Sequence, residues 1–304
     1  MTQLIGPDLS PEGAAAGAPS TAGSFPAGLG KRLLAALRWL AGHLTLVIAI
    51  AIVALVLLWA FFPGLFTSQN PTAVNPAEHF LPPSAEHWFG TDEFGRDLYT
   101  RVVYGSRTSL TGAAVAGAVA VVVGSALGSG AGWFGGFADS LIGRVIDVVL
   151  SIPGFLFAIT IVALLGFGIF QSALAVGLTS SATFARLIRS EVLMASTSNY
   201  VEAATTSGAR TFAILRRHVI PNSIAPTFSL VTVQFGIAII WIASLSFLGL
   251  GAQPPKPEWG LLVSDGRDFI ASRSWLAIWP GLTVVAVVLS INHISRHISR
   301  GRSS

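Results

Sequence analysis

The chain has 304 residues, of which 52% are hydrophobic and only 11% charged, with a mean hydropathy of +0.70. Soluble domains carry charge on about a quarter of their residues, so this composition demands a bilayer as solvent. The 18 basic and 14 acidic residues give a sequence pI near 10.1 without any basic run interleaved with aromatics, so nucleic acid is not an expected partner; zero cysteines exclude disulfides and thiolate chemistry.

Residues 1–30 are rich in Gly, Ala, Pro and Ser and are expected to form a disordered cytoplasmic tail. A basic segment, 31–43, carries Lys31, Arg32 and Arg38 ahead of the first apolar run, Leu44–Phe62. That run ends in the bulky "WAFFPGLF" rather than a small-residue cleavage site, which predicts a retained span and not a cleaved signal peptide. Segment 63–108 is expected outside the membrane. Within it "GTDEFGRDLYTRVVYG" predicts an amphipathic interfacial helix, with Leu98–Val102 and Tyr99–Val103 on shared faces and Asp97 paired with Arg101. Asp92, Glu93 and Asp97 lack the EF-hand spacing, and the histidines lack the helical zinc spacing, so no metal site is expected.

About twenty apolar residues cross a bilayer core. By that measure residues 109–292 hold five more spans: Ser109–Ala131, Ile146–Gly166, Phe170–Leu187, Thr227–Gly249 and Trp275–Ile291. The predicted class is an all-α integral membrane protein with six spans, since only helices or closed barrels satisfy the backbone in lipid. The second span repeats small residues at Gly112, Ala116, Ala120, Gly124, Gly128 and Gly132, a ridge expected to serve packing within the chain. Pro153-Gly154 should kink or break the third span. The hydroxyls in the spans are expected to bond back to their own helices. Lys and Arg are twice as numerous in the segments that are inside when the N-terminus is inside, which predicts cytoplasmic termini, with a basic tail at 293–304. The long polar segment 188–226 then faces the cytoplasm.

No charged residue sits centrally in any span, which counts against a secondary carrier, although a stand-alone transporter or channel remains the alternative. Ser180, Ser181 and Ser244 lack a membrane His or Lys beside them, so an intramembrane hydrolase is not favoured. Gly30-Lys31 is not preceded by the glycine that a phosphate-binding loop requires. The chain is therefore expected to be neither an enzyme nor a cofactor carrier, and energy for uphill transport must come from another chain.

Within 188–226, Asn199 and Glu202 have capping-box spacing, Ala203 and Ala204 keep the helix surface small, Gly208 suits a left-handed helix end, and Pro221 marks a break. Connections between packed helices are usually short, so a segment of this length predicts a docking element. It resembles the EAA motif of permease subunits of bacterial ABC importers: Glu202, Ala203, Ala204, Gly208 and Pro221 match, with His218 and Ile220 at the two apolar positions before the proline. "HWFGTDEFGRDLYTRVVYGSRTSL", "AGWFGGFADSLIGRVID" and "SFLGLGAQPPKPEWG" resemble the second, C-type permease of the dipeptide and oligopeptide branch, whereas the tail "NHISRHISRGRSS" departs from it.

The resemblance implies a six-helix permease bundle in the bacterial inner membrane with a cytoplasmic coupling helix. Tyr200, Glu202, Ala203, Ala204, Gly208, Arg210 and Pro221 would form its contact with ATPase subunits. Implied partners are a second permease, two ATPase chains that bind ATP and Mg, an extracytoplasmic peptide-binding protein, membrane lipid and a peptide substrate. Dipeptides, longer peptides, nickel chelates and haem are all handled by similar permeases.

Overall fold

The first apolar run forms helix α1, Leu44–Phe61, with its lipid-compatible side chains on nearly every face. The structure is a computed structural model and describes residues 44–196, 198 and 228–300. It divides the chain into units Met1–Leu44 and Thr45–Ser304; Leu44 is the one described residue of the first unit, and all the others belong to the second. Among the described residues there is no strand, only an isolated bridge between Thr91 and Asp97.

Helix α2 runs Leu98–Phe134. Asp97 caps it, accepting from the Thr100 amide at 2.7 Å, and nothing between Arg101 and Ser109 breaks it. The interfacial helix and the second span expected from sequence are therefore one 37-residue helix. At about 55 Å it outreaches a bilayer core of about 30 Å, so its first turns stand in the folded cap made by residues 63–97 and 248–274. Leu98, Val102 and Val103 are buried there instead of facing lipid.

The third expected span is an elbow. Helix α3, Gly136–Ser151, stops where Pro153 forces Ile152 into an extended conformation (ψ 135°), and helix α4, Gly154–Leu165, leaves with a 98° bend. The predicted break is present and sharper than a kink, and its α4 side is closely packed: Phe155 lies edge-on to Trp241, and a Cβ on Gly154 would strike that indole.

Helix α5, Ile169–Ser196, extends nine residues past its expected end at Leu187, and helix α6 covers Phe228–Phe247. Helix α7, Trp259–Gly266, was not expected; it wedges among α2, α6 and α8, Trp275–Arg300. Among the described residues α1, α2, α6 and α8 are long and apolar enough to cross a membrane; the bent α3–α4 pair makes a fifth only if it is counted as one span, and α5, where a span was expected, does not reach that measure. Apolarity alone understates α5 because neighbours cover it: Ala175, Val176, Ala185, Ile188 and Val192 are buried. Thr179 donates to the Ala175 carbonyl at 2.8 Å and Ser181 to Leu178 at 2.6 Å, back to their own helix as expected, whereas Ser172 donates across to the Leu250 carbonyl at 3.2 Å.

The small-residue ridge packs α2 against α5. A Cβ on Gly128 would lie 2.5 Å from the Ala185 carbonyl oxygen and 2.9 Å from Ile188 Cβ; one on Gly132 would lie 2.9 Å from the Arg189 carbonyl oxygen. From the other side Gly177 rests on the Ala116 carbonyl. Without a hydrophobic driving force between helices in lipid, this backbone contact supplies the dispersion that holds the pair.

Candidate functional site

Two polar places stand out in an apolar molecule, one in the cap and one where α5 approaches the undescribed segment 199–227.

The cap is organised by Asp92. One of its carboxylate oxygens accepts from the Phe94 and Arg96 amides at 2.9 and 3.0 Å, making a tight local turn. The other accepts from Arg96 Nε at 2.7 Å and Arg101 Nη1 at 2.9 Å. Arg101, with a side chain 1% exposed on α2, also reaches Asp265 of α7 at 3.5 Å. A buried guanidinium thus joins the cap loop, α2 and α7, and two carboxylates offset its desolvation. Burial pushes the Asp265 carboxyl up while Arg101 and Arg96 pull it down; Glu93 is also raised, first by burial and then by Asp265 and Asp92. The expected Asp97–Arg101 pair does not form. Asp97 is the N-cap, outside the helical register, and its other oxygen binds His87 Nδ1 at 3.0 Å. Among the described residues no cluster suits a metal ion.

Below this network lies Glu258, fully buried as the N-cap of α7. It accepts from the Leu261 amide at 2.9 Å and from Ser109 Oγ at 2.8 Å, while Trp259 Nε1 donates to the Val102 carbonyl at 3.0 Å. Burial raises the Glu258 pKa, opposed by the Leu261 and Ser109 hydrogen bonds. The folded chain then holds this proton at pH values where the unfolded chain has lost it. The resulting stabilisation is full below the ordinary carboxyl value of 4.5 and is lost as pH rises toward the folded value. Glu258→Gln, which keeps one acceptor oxygen for the Leu261 amide and turns an NH2 donor toward the Ser109 hydroxyl, is expected to remove that part of the pH dependence of the melting temperature, whereas Glu258→Ala lowers the melting temperature at every pH. A Gln variant as pH-dependent as the parent would show that Glu258 does not titrate in this window.

Two clefts flank α2. One, of about 460 Å³, opens between α1, α2, α6 and α8, with Val56, Leu57, Phe235 and Val287 on its walls. The other, of about 260 Å³, lies against Ile169, Phe170 and Ala173. Both share Arg107 and Thr111, and the second adds Thr108, so an apolar lining meets one exposed cation and one or two hydroxyls.

At the opposite end, the Arg189 guanidinium forks onto Asp139 at the start of α3, with Nη2–Oδ2 at 2.7 Å, and Arg186 pairs with Asp147 at 2.7 Å. Together with the contacts of Gly128 and Gly132, these pairs bind the last turns of α5 to α2 and α3. Tyr200, Glu202, Ala203, Ala204, Gly208, Arg210 and Pro221, the site expected from sequence, lie outside the described residues. What the sequence did not disclose is the Asp92–Arg101–Asp265 network and Glu258. Glu258 had a usable signal, an acid three residues before Leu261 at the head of an apolar run.

An all-helical bundle with apolar spans, a packed polar cap and a long connection at its other end defines a polytopic membrane protein. Residues 98–304 match the family described as binding-protein-dependent transport system inner membrane component, and the chain belongs to that family. It is 42% identical over 248 residues to the dipeptide transport system permease protein DppC of Alkalihalophilus pseudofirmus, covering 82% of each chain. It is 38% identical over 249 residues to the probable D,D-dipeptide transport system permease protein DdpC of Escherichia coli, covering 82% of this chain and 83% of that one. Its fold is shared with a chain of the MetNI methionine ABC transporter in an inward-facing conformation (TM-score 0.54, 17% identity, 66% of this chain and 95% of that one).

Proposed function

We propose that this chain is the transmembrane permease subunit of an ABC importer for dipeptides or oligopeptides, driven by ATP hydrolysis in separate subunits. The observation that carries the reading is the Glu202-Ala203-Ala204 segment with Gly208 and Pro221, placed in the connection that leaves α5. Family membership and two dipeptide-permease relatives support it.

In this mechanism a helix begun at Asn199 seats in an ATPase subunit. ATP and Mg bound by two such subunits draw them together, and the coupling helices of this chain and a second permease move with them. The displacement enters α5. Because α5 is joined to α2 by backbone-close glycine packing and to α3 by the Arg189 and Arg186 pairs, its motion is passed to the bundle as a unit. The bundle then exchanges inward-facing and outward-facing states around the peptide that an extracytoplasmic binding protein delivers. The cap faces that protein, and the termini and segment 188–226 face the cytoplasm. The clefts at Arg107 have the polarity for a peptide, a cation for its terminal carboxylate and apolar walls for its side chains.

Gly208→Val is expected to lower peptide uptake by about tenfold or more in the reconstituted complex, since a β-branched residue disfavours the left-handed turn that aligns the helix with its partner. ATPase stimulation by the loaded binding protein should fall with it while the complex still assembles. Full uptake and stimulation in a normally assembled Gly208→Val complex would refute the coupling role.

A further inference from the structure

Helix α3 has three distinct sides. Phe137, Leu141, Val145 and Val148 are exposed, Phe137 at 82% and Val148 at 63%, and at 100° per residue they occupy an arc of roughly 80°. Ile142, Ile146 and Val149 form a second side that packs on Leu127, Ala182 and Ala185. Asp147 and Ser140 form a third, polar side, with Arg144 at its border about 20° from Phe137, and there Asp147 meets Arg186 with both side chains largely exposed. A helix wholly within lipid has no use for the polar side, and a helix in water has no use for the exposed apolar one. A membrane–water boundary serves both.

The direction of α3 agrees. From Asp139 to Asp147 it advances about 12 Å, while its ion-pair partners from Arg189 back to Arg186 cover only about 4.5 Å of α5. It therefore crosses α5 steeply, as the 98° bend from α4 also requires. The apolar stripe continues at both ends into other exposed apolar residues, Phe134 of α2 and Leu156 of α4.

We infer that α3 is an interfacial helix whose stripe of Phe137, Leu141, Val145 and Val148 is occupied by lipid acyl chains, in the leaflet next to the segment that follows α5. Asp147 and Arg144 stay at the headgroup and water level. The ion pairs to Arg186 and Arg189 then tie the last turns of α5 to a helix floating at the membrane surface. This inference depends on the membrane fold and stands whether or not the transport reading does.

The natural absence of cysteine allows a direct test. Single cysteines at Leu141, Val145 and Val148, and at Ser140 and Arg144 for comparison, would carry nitroxide labels in the assembled complex in lipid nanodiscs. Collision rates with oxygen, which concentrates in lipid, and with chromium oxalate, which stays in water, are then compared. The stripe is expected to favour oxygen, and Ser140 and Arg144 to favour chromium oxalate, so that the ratio inverts between the two sets. Stripe labels that favour chromium oxalate would overturn the inference. So would stripe labels shielded from both reagents, since that places a protein partner on this face. Three stripe positions keep the test decisive if one substitution prevents assembly.

Discussion

Asp92→Ala is expected to destabilise the protein by about 3–5 kcal/mol, the usual cost of leaving a buried charge without its partner. The substitution strands Arg101, whose remaining carboxylate, Asp265, is 3.5 Å away and partly exposed. It also removes the acceptor for the Phe94 and Arg96 amides, so the turn that closes the cap loosens with the ion pair. A fall of about 10 °C in the melting temperature of the detergent-solubilised complex corresponds to this loss. Asp92→Asn separates the two contributions: it retains an oxygen for the turn and gives up the charge, so its loss should be smaller. Asp268→Ala, which breaks an exposed pair with Arg267, should be indistinguishable from the parent. A parent-like melting temperature for Asp92→Ala would mean that the cap is not organised by this residue.

The second large effect is expected at Gly128. Valine there would drive its Cβ against the Ala185 carbonyl oxygen and Ile188 Cβ, and backbone atoms inside a helix cannot turn aside as a side chain can. Relief requires α2 and α5 to separate along much of their length, which opens the close contact that substitutes for hydrophobic attraction in lipid. Overpacking costs typically about 1–3 kcal/mol, and the backbone position of the obstacle places Gly128→Val at the upper end. Gly117→Ala is the matched control, since a Cβ there meets nothing within 4 Å. It should be neutral or slightly stabilising, because alanine favours helix more than glycine does. Denaturant midpoints in detergent measure both variants; equal midpoints would show that the ridge contributes nothing to stability.

These two sites differ in how visible they are in the sequence. The ridge is plain because small residues four apart on an apolar helix have one physical use, close approach, and its partner α5 is one of few candidates. The partners of Arg101 are hidden. Helical spacing points to Asp97, but Asp97 sits at the cap, where the chain has not entered the helix and its carboxylate turns toward the first free amides. The true partners lie nine residues before Arg101, in a turn, and far along the chain in α7. No local rule joins them.

What the sequence determined by itself was the medium, the place of the apolar runs and the break at Pro153. Each rests on local physics: the desolvation cost of charge in lipid, the length of helix that crosses it, and the backbone preferences of glycine and proline. The tertiary structure decided how those pieces are used. It ran the cap helix into the second span, turned the third span into an elbow, and buried Glu258 and Arg101 beside partners from distant segments. Such outcomes depend on which surfaces meet, and burial energy is shared between residues that sequence order does not bring together.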